Sequence, residues 1–542
     1  MNVLLINLTR FGDLLQSAAA IRVLARGTGG SKNRIGMVCL ENFVSGAELL
    51  PDLEDVYPLP MSKTMAAMDN YSQGAGCKPE TAWMNGFSTF RDWVGKVTGH
   101  FAPDTVCNLS PTFAAGHLSR LLAGKRTLSG FVLNDQSIPA NPSPWATFMQ
   151  GSTLSRGASP FHVVDLFRKI AGDREKGADA SLLPPSGDML ASMRERLAAS
   201  SPAGTRGYVA IQLGASKDIR RWPVASFAHV GDMLWKKYRL LPLLLGSRGE
   251  IPFGEEYAAI AGEPSLSLMG KTSIPELAAA VSHISLLISN DTGTLHLASG
   301  LGVPVIGIFL ATAQAWDTGP YAVNSCSLEP DLACHPCGFD TECAHGEACH
   351  KAIRPQTVAA LAEARISGAG WDRANIAGPD IFQGSRIWVT TRDNHGFADL
   401  ASVSGHDNDP RSQWMRIQRH FYRQLFDRNT AAPFVPEPAP TGMAVSGQQG
   451  IALGQACDTM ASLYSALAQQ TEMLLSNPLP VVRDRFEKTW DRLTAAPTSI
   501  PDFKALSFVW RNEVASRDGL ENILPLMHQY HALFTALRKT MP

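Results

Sequence analysis

The chain lacks the features that mark membrane-spanning, secreted and nucleic-acid-binding proteins. Across its 542 residues no stretch reaches the roughly 18 apolar residues that a spanning helix needs. The start, MNVLLINLTRFGD, has no basic segment and no cleavage site, so it is interpreted as a buried strand and not as a signal peptide. The formal net charge is -1, whereas a nucleic-acid-binding surface is basic. These absences predict a cytoplasmic protein, and they leave peripheral contact with the inner face of the cytoplasmic membrane open.

Composition and pattern predict several folded domains. Hydrophobic residues make up 45% of the chain and charged residues 18%, which is typical of soluble globular proteins, and the length exceeds that of one domain. Apolar strands alternate with helical patterns at the start of the chain and again from Tyr208. Two such halves predict an α/β protein with two doubly wound, Rossmann-like domains that face each other across a cleft.

Other segments interrupt or follow this alternation. Residues 61–100 are predicted to form a helical insertion, and the Pro/Ser-rich residues 134–159 a surface connection. Later come a hairpin around Asn394-His395-Gly396, a Pro/Gly-rich linker and amphipathic helices. The predicted divisions are 1–200 for the first domain, 201–370 for the second domain, 371–430 for the hairpin and a basic helix, 431–450 for the linker and 451–542 for a mainly helical extension.

The stretch Leu286–Phe309, LLISNDTGTLHLASGLGVPVIGIF, is the most informative motif. An apolar strand leads into the turn Asn290–Thr294, a helix begins near Leu295, and a second strand follows. A glycine-containing turn from strand to helix leaves unpaired N–H groups at the helix start, and with the helix dipole these form an anion site suited to a phosphate. The alternative is an ordinary strand–helix–strand unit.

This block resembles the nucleotide-sugar phosphate motif of glycosyltransferase family 9, the lipopolysaccharide heptosyltransferases. Three further stretches resemble that family in the same order along the chain. They are the opening VLLINLTRFGDLLQ, the stretch YVAIQLGASKDIRRWPVASF that begins at Tyr208, and LLLGSRGE followed by LMGKTSIPEL. The resemblance covers roughly residues 1–365, and the remaining third of the chain has no part in it.

The resemblance implies a GT-B fold and an inverting, metal-independent transfer of heptose from ADP-heptose to a lipid A or core oligosaccharide acceptor. The donor would bind to the second domain and the acceptor to the first. Another nucleotide sugar or a protein acceptor is the alternative among enzymes. A non-catalytic GT-B binding or assembly protein is the alternative of another class, and the intact motifs at Asp13 and Asp291 argue against it.

Asp13 is the candidate catalytic base. It follows the first strand at its carboxyl end, where ligands bind in open α/β sheets. The resemblance makes it the group that takes a proton from the acceptor hydroxyl. The alternative role is a helix N-cap, a position that Asp favours. Arg10 in the same loop is the candidate for acceptor binding.

Arg220 is the second candidate catalytic residue. It stands two residues before Trp222, where the family usually has a Lys, and it would hold the departing diphosphate. Lys217 is close enough in sequence to take this role instead. For His296, packing is as plausible a role as donor contact. The resemblance assigns to donor binding Asp291, the amides of Thr292, Gly293 and Thr294, His296, and Glu250 as a ribose-binding acid.

Four of the nine cysteines fall within 16 residues at the spacing C-x2-C-x5-C-x5-C. In a reducing cytoplasm such a cluster is more often a metal site than a set of disulfides. Four thiolates suit tetrahedral zinc or iron, and a reduced, metal-free loop is the alternative. No cofactor is expected for the transfer, so this metal would be structural. The predicted ligands are Cys334, Cys337, Cys343 and Cys349, with His335, His345 and His350 as substitutes.

Residues 411–428, RSQWMRIQRHFYRQLFDR, are predicted to form a basic amphipathic helix. Trp414, Ile417, Phe421 and Leu425 follow helical spacing, and the arginines outnumber the acids. Such a helix suits the surface of an anionic membrane, where a lipid-linked acceptor would lie. Packing of the apolar stripe against the transferase domains is favoured, because most amphipathic helices of globular proteins bury that face.

Overall fold

The computed structural model describes residues 1–27, 31–62, 64, 79–153, 159–323, 325–339, 341–376, 378–429 and 432–542. The chain divides into two compact units. The first contains Met1–Ser137 and His162–Ser404, and the second contains Ile138–Phe161 and Gly405–Pro542. No helix among the described residues is long and apolar enough to cross a membrane.

Strands and helices alternate in the first unit, and helices dominate the second. The strands are β1 (Asn2–Asn7), β2 (Arg34–Leu40), β3 (Asp55–Leu59), β4 (Thr105–Asn108), β5 (Thr127–Gly130), β6 (Gly207–Gln212), β7 (Leu240–Leu245), β8 (Leu266–Ser267), β9 (Leu286–Asn290), β10 (Val305–Ile308), β11 (Cys326–Pro330), β12 (Ser385–Arg392) and β13 (Ala398–Ser402). The helices are α1 (Phe11–Gln16), α2 (Ala18–Ala25), α3 (Val44–Ala47), α4 (Pro79–Lys96), α5 (Phe113–Ala123), α6 (Pro144–Thr153), α7 (Val163–Ile170), α8 (Gly187–Ser200), α9 (Val224–Tyr238), α10 (Ile251–Ile260), α11 (Ile274–Val281), α12 (Gly293–Gly300), α13 (Ala315–Thr318), α14 (Cys349–Ala352), α15 (Pro355–Ile366), α16 (Pro410–Phe426), α17 (Gly447–Ser476), α18 (Pro480–Ser499), α19 (Lys504–Ala515) and α20 (Leu520–Arg538).

The first sheet of the first unit is parallel, with the strand order β3–β2–β1–β4–β5. β1 pairs with β2 on one side and with β4 on the other, and its Leu4, Leu5 and Ile6 are fully buried. Helices cover both faces of a parallel sheet, which explains why this strand is apolar without alternation. The buried strand predicted at the N-terminus is confirmed.

The second sheet has the order β13–β12–β11–β10–β9–β6–β7–β8. β9 lies between β6 and β10 and runs parallel to both, whereas β12 and β13 are antiparallel additions at the edge. The turn that begins at Asn290 therefore leaves the sheet from a central strand, at its carboxyl end. Two doubly wound halves are present, as the alternation of strands and helices predicts.

Two glycines allow helices from the two sheets to touch. α1 follows β1, and α12 follows β9. A Cβ atom at Gly12 would lie 2.7 Å from His296 Cδ2, and one at Gly293 would lie 2.6 Å from Phe11 Cδ1. Both distances are shorter than real Cβ contacts, so this approach needs a residue without a side chain on each helix. The contact holds the loop after β1 against the turn after β9.

The second unit is built around buried aromatic side chains. Phe148 of α6 contacts Tyr422 and Phe426 of α16, with ring centroids 5.9 Å and 5.2 Å apart. Tyr464 of α17 lies 4.9 Å from the ring of Trp510 of α19 in an edge-to-face arrangement. Such pairs add to the stabilisation from buried area. The helical extension predicted for the C-terminal region is thus part of a larger helical core.

The prediction of a surface connection at residues 134–159 is wrong. Residues 144–153 form α6, where Trp145, Phe148 and Met149 are buried. Trp145 Nε1 also donates to Asp427 Oδ1 at 2.8 Å. These three apolar side chains share one helix face, but the flanking Pro and Ser residues hide that pattern in the sequence.

Several predicted boundaries also differ from the structure. The hairpin β12–β13 extends the second sheet, and the two units meet in sequence at Ser404–Gly405 and not at residue 430. α8, in the predicted first domain, contacts a residue beyond the predicted boundary, because His283 Nε2 donates to Leu190 O at 2.7 Å. Within the predicted insertion, α4 is helical as expected, and residues 63 and 65–78 lie outside the described residues.

The apolar stripe of the basic helix is buried. Trp414, Ile417, Phe421 and Leu425 of α16 are between 0% and 3% exposed. The arginines are not simply solvated, since Arg416 pairs with Asp407 at 2.9 Å within the second unit. The stripe is therefore a packing surface of this unit. Binding of this helix to a membrane surface would need an exposed apolar face, and its apolar stripe is buried.

We expect Gly293→Ala to destabilise the first unit by about 1–3 kcal/mol, because its methyl group overlaps Phe11 and the ring must move. Gly187→Ala is the matched control, since a Cβ atom there meets nothing within 4 Å. Thermal and urea denaturation of the full chain measure both changes. A loss no larger for Gly293→Ala than for Gly187→Ala would show that the two helices do not meet as described.

A buried ion pair in the second unit gives another stability prediction. Glu513 accepts from Arg428 Nη2 at 2.7 Å and from the Tyr530 hydroxyl at 2.9 Å, and the Arg428 side chain is 3% exposed. Glu513→Ala leaves this guanidinium buried without its carboxylate, so a loss of about 3–5 kcal/mol is expected.

The control is the exposed pair of Arg538 and Asp458, whose side chains are 36% and 59% exposed. Asp458→Ala should cost less than about 1 kcal/mol, because water screens such a pair. Urea titrations followed by tryptophan fluorescence compare the two variants. Equal losses would contradict the buried network around Glu513.

Candidate functional site

The turn after β9 leads into α12, the helix whose first amides are predicted from the sequence to bind an anion. Thr292 is the N-cap of α12 and has an extended backbone, with φ -144° and ψ 165°. Its hydroxyl pairs with Ser289 Oγ at 3.0 Å and does not cap the helix. Thr294 Oγ1 donates to Gln212 Oε1 at 3.1 Å, which ties the turn to β6. The turn and the start of α12 thus have a fixed position, and the first amides of a helix are suited to an anion.

A buried arginine faces this turn. Arg220 is 9% exposed, and its Nη1 lies 3.6 Å from Asp291 Oδ2. Its Nε donates to Thr312 Oγ1 at 2.6 Å, and Nη1 also donates to Ser216 Oγ at 3.3 Å. A cation held by one carboxylate and two hydroxyls keeps a defined position and orientation beside the turn.

The structure distinguishes between the two basic residues considered for this role. Lys217 is exposed at the start of the 3-10 turn Asp218–Arg220, whereas Arg220 ends that turn and points inward to Asp291. The geometry therefore favours Arg220 as the cation at the anion turn. Trp222, two residues later, is fully buried, in agreement with its predicted packing role.

Asn290 is a structural part of the site that the sequence reasoning missed. Its Nδ2 donates to Leu213 O and Gly214 O at 2.9 Å and 3.0 Å, and its Oδ1 accepts from Trp222 N at 3.0 Å. One buried side chain thus connects the ends of β6 and β9 to the segment that carries Arg220. The sequence feature that could have identified Asn290 is a polar residue at the end of a buried strand, directly before Asp291.

Asp13 lies in the first turn of α1. The N-cap of this helix is Arg10, which makes no side-chain capping bond, so Asp13 does not occupy the N-cap position weighed as its alternative role. A carboxylate in the first turn is stabilised as an anion by the helix dipole. Because Gly12 touches His296, the backbone next to Asp13 lies against α12. Arg10 is exposed at the entrance to this loop.

Glu250 lies at the neighbouring strand ends. Its Oε2 accepts from Ser247 N at 2.6 Å and completes a capping box, while its Oε1 occupies the place that a Gly214 side chain would need. A groove of about 520 Å³ opens beside it, lined by Gly246, Ser247, Arg248, Gly270, Lys271, Thr272, Ser273 and Glu276. A space for a ligand therefore adjoins Glu250, in the region where the resemblance places the nucleoside.

His296 is neutral at physiological pH. Burial lowers its pKa to about 4, because an imidazolium is poorly solvated there. The side chain lies in the first turn of α12 against Gly12. It can therefore donate or accept a hydrogen bond without adding charge to the anion turn, and its packing role is evident.

The predicted metal ligands lie in one segment of the chain. Burial and the nearby Cys334 and Cys343 raise the pKa of Cys337, so these thiols are neighbours. Across the described ranges, no group of three or more His, Cys, Asp or Glu side chains is placed to hold a metal ion. The zinc or iron site at Cys334, Cys337, Cys343 and Cys349 stays a prediction from the sequence.

The family model for glycosyltransferase family 9 (heptosyltransferase) matches residues 158–348. The lipopolysaccharide heptosyltransferase 1 of Pseudomonas aeruginosa is 30% identical over 150 residues, which cover 27% of this chain and 39% of that protein. The lipopolysaccharide heptosyltransferase 3 of Escherichia coli K12 is 34% identical over 107 residues, which cover 19% of this chain and 31% of that protein. The matched segments thus span well under half of these relatives.

Among solved structures, the glycosyl transferase family 9 protein of Veillonella parvula is similar in fold. The TM-score is 0.52 at 16% sequence identity, and the match covers 68% of this chain and 97% of that chain. This similarity confirms the predicted GT-B class for the two-sheet part of the molecule. The sequence match includes Arg220, Glu250 and the turn Asp291–Thr294. The chain therefore contains a glycosyltransferase family 9 domain over residues 158–348.

Proposed function

We propose that this protein is an inverting glycosyltransferase that moves heptose from ADP-heptose to a lipopolysaccharide core or lipid A-type acceptor. One observation carries the proposal: the contact between Gly12 and His296 brings the helix of Asp13 against the helix whose first amides form the anion turn. A base for the acceptor and a site for the leaving diphosphate are thereby combined in one unit.

In the proposed reaction the acceptor hydroxyl attacks the anomeric carbon of the donor sugar. The new bond joins the acceptor oxygen to that carbon, and the bond from the carbon to the diphosphate oxygen breaks on the opposite face, which inverts the configuration. Asp13 accepts the hydroxyl proton as the bond forms. Arg220 and the amides of α12 receive the negative charge that develops on the diphosphate.

The donor assignment is supported by the chemistry next to the turn. The groove beside Glu250 is lined by residues that follow β7 and β8, and in open α/β sheets nucleotides bind outside such strand ends. A carboxylate like that of Glu250 is suited to ribose hydroxyls. The names of the curated relatives, lipopolysaccharide heptosyltransferases, support heptose and a lipopolysaccharide acceptor.

The proposal includes a place of action. A lipopolysaccharide-type acceptor is lipid-linked, so the protein would work in the cytoplasm at the inner face of the cytoplasmic membrane. Purified protein incubated with a panel of nucleotide sugars and acceptors, analysed by mass spectrometry, tests donor and acceptor together. Turnover of a donor other than ADP-heptose, or of a protein acceptor, would replace the finer assignment.

We expect Asp13→Asn to slow transfer by about 10²–10⁴-fold while the affinity for ADP stays nearly unchanged. The amide keeps the shape of the side chain but cannot accept the acceptor proton. The control is Asp188→Asn, which removes an exposed first-turn carboxylate from α8. Steady-state kinetics and calorimetric titration with ADP give the two readouts. Wild-type turnover by Asp13→Asn would exclude Asp13 as the base.

Arg220→Ala should weaken ADP binding and lower kcat together, by about 10²–10³-fold in kcat, because a leaving-group contact strengthens as charge develops. Lys217→Ala should change both quantities by much less, since Lys217 is exposed. The same kinetic and calorimetric measurements compare the two variants. The opposite ranking would transfer the leaving-group role to Lys217.

A further inference from the structure

A buried carboxylate in α7 is bonded to two separate segments of the second sheet's half of the unit. The side chain of Asp165 is 0% exposed. Its Oδ1 accepts from the Tyr321 hydroxyl at 2.9 Å, and its Oδ2 accepts from Ala398 N at 2.9 Å. Tyr321 lies between α13 and β11, and Ala398 begins β13. Asp165 therefore fixes α7 to a loop and to an edge strand of the second sheet at once.

Helix α7 is in turn part of a layer of helices that includes the helix of Asp13. α7 contacts α2, and Val164 of α7 and Ala19 of α2 belong to the same buried apolar cluster. Only Ser17, which is fully buried, separates α2 from α1. Because packed helices move together, a displacement of α7 would be passed through α2 to α1, which carries Asp13.

Both oxygens of the Asp165 carboxylate are needed for its contacts. Besides the Tyr321 hydroxyl, Oδ1 accepts from Arg168 Nε at 2.9 Å. The guanidinium of Arg168 is itself 0% exposed, and its Nη1 donates to Asp173 Oδ2 at 2.7 Å. An amide has one acceptor oxygen and two N–H donors, so asparagine at position 165 cannot accept all three bonds.

The start of α7 is held to the loop of Tyr321 as well. His162 is the N-cap of α7, where its Nδ1 accepts from Val164 N at 3.1 Å. Its Nε2 therefore carries the proton and donates to Gly319 O at 2.8 Å. Arg392 Nη2 donates to Tyr321 O at 2.7 Å from β12. The loop thus has a defined position, against which Asp165 can hold the helix.

We propose that Asp165 is a positioning residue that sets the place of Asp13 relative to Arg220 and the turn Asp291–Thr294. The inference rests on the roles of Asp13 and Arg220 in the proposed function. In that reaction the base belongs to the first sheet and the leaving-group contacts belong to the second, so the distance between them must be fixed. The contact of Gly12 with His296 fixes α1 directly, and Asp165 fixes it through α2 and α7.

Tyr321→Phe tests the bridge with the smallest change, since it removes one hydroxyl and keeps the ring. We expect kcat to fall about 10-fold, because a displacement of about 1 Å far from the chemistry is enough to slow a reaction. The Kd for ADP should stay nearly unchanged, because the proposed nucleotide contacts all belong to the second sheet. The measurements use the full chain and the nucleotide sugar that the wild-type protein turns over.

Tyr57→Phe is the matched control. Tyr57 is a buried tyrosine of β3, and its hydroxyl makes no hydrogen bond among the described residues. This variant removes the same atom from the same unit without touching the bridge, so its kcat should equal that of the wild type. Equal kcat values for Tyr321→Phe and Tyr57→Phe would overturn the proposal.

Asp165→Asn should have the larger effect, with kcat lowered by about 10²-fold and the Kd for ADP again nearly unchanged. Leu122→Ala, a change in the buried face of α5, is the control for general loss of stability. Both variants should lower the melting temperature, and only Asp165→Asn should lower kcat at a temperature where circular dichroism shows each variant folded. Wild-type kcat in Asp165→Asn, or a parallel loss of ADP affinity, would contradict a positioning role.

A double-mutant cycle connects the two residues. If the Tyr321 hydroxyl acts through the carboxylate, the variant Asp165→Asn/Tyr321→Phe is no slower than Asp165→Asn alone. Losses in kcat that multiply would overturn this coupling. If Asp165→Asn does not fold, the comparison of Tyr321→Phe with Tyr57→Phe decides by itself.

The same series distinguishes this proposal from the proposed function. Wild-type turnover by Asp13→Asn would contradict the role of the base itself. A slow Asp13→Asn beside a fully active Asp165→Asn and a fully active Tyr321→Phe would leave the base in its role and reject Asp165 as its positioning residue.

Discussion

The direct contact between α1 and α12 is the constraint on which the site depends. The carboxylate of Asp13 follows β1 and the turn Asp291–Thr294 follows β9, so they belong to different sheets, and the proposed transfer needs both. Gly12 and Gly293 remove the two side chains that would separate them. The helix dipoles then act at one place, since the first turn of α1 carries Asp13 and the first amides of α12 are available to an anion.

The charge balance at the turn explains why Arg220 requires firm support. Asp291, 3.6 Å away, offsets the buried positive charge before a donor arrives, and a close pair in a partly buried place attracts on the order of 4 kcal/mol before desolvation. In the proposed function, the diphosphate of the donor brings more negative charge than one carboxylate, so it can compete with Asp291 for the same guanidinium. The competition is favourable only if Arg220 stays in place, which the contacts of Thr312 provide.

Local patterns in the sequence predicted the strands β1, β6, β7 and β9, the anion turn and the hairpin, because each depends on neighbouring residues. Contacts between distant residues were missed. The helix α6 is recognisable only from its partner, since Trp145 donates to Asp427, 282 positions later. The basic helix has the composition of a membrane-surface helix, and its burial follows from aromatic neighbours such as Phe148 that no local window contains. For the candidate site, the sequence identified the candidate residues. The distances between them could be obtained only from the fold.

The cysteine-rich segment, residues 334–353, makes contacts that its sequence pattern does not show. Cysteine spacing alone suggests a metal, because it reports on thiols and not on backbone partners. In the structure, residues of this segment donate to the backbone carbonyls of Ala311, Ala313 and Ile219, beside the buried guanidinium of Arg220. A segment that stabilises the second sheet and one that positions Arg220 would have the same sequence pattern. The two differ in their backbone partners: here the Cys337 amide donates to the carbonyl of Ala311, whose backbone is left-handed with φ 53°, next to the Thr312 hydroxyl that accepts from Arg220.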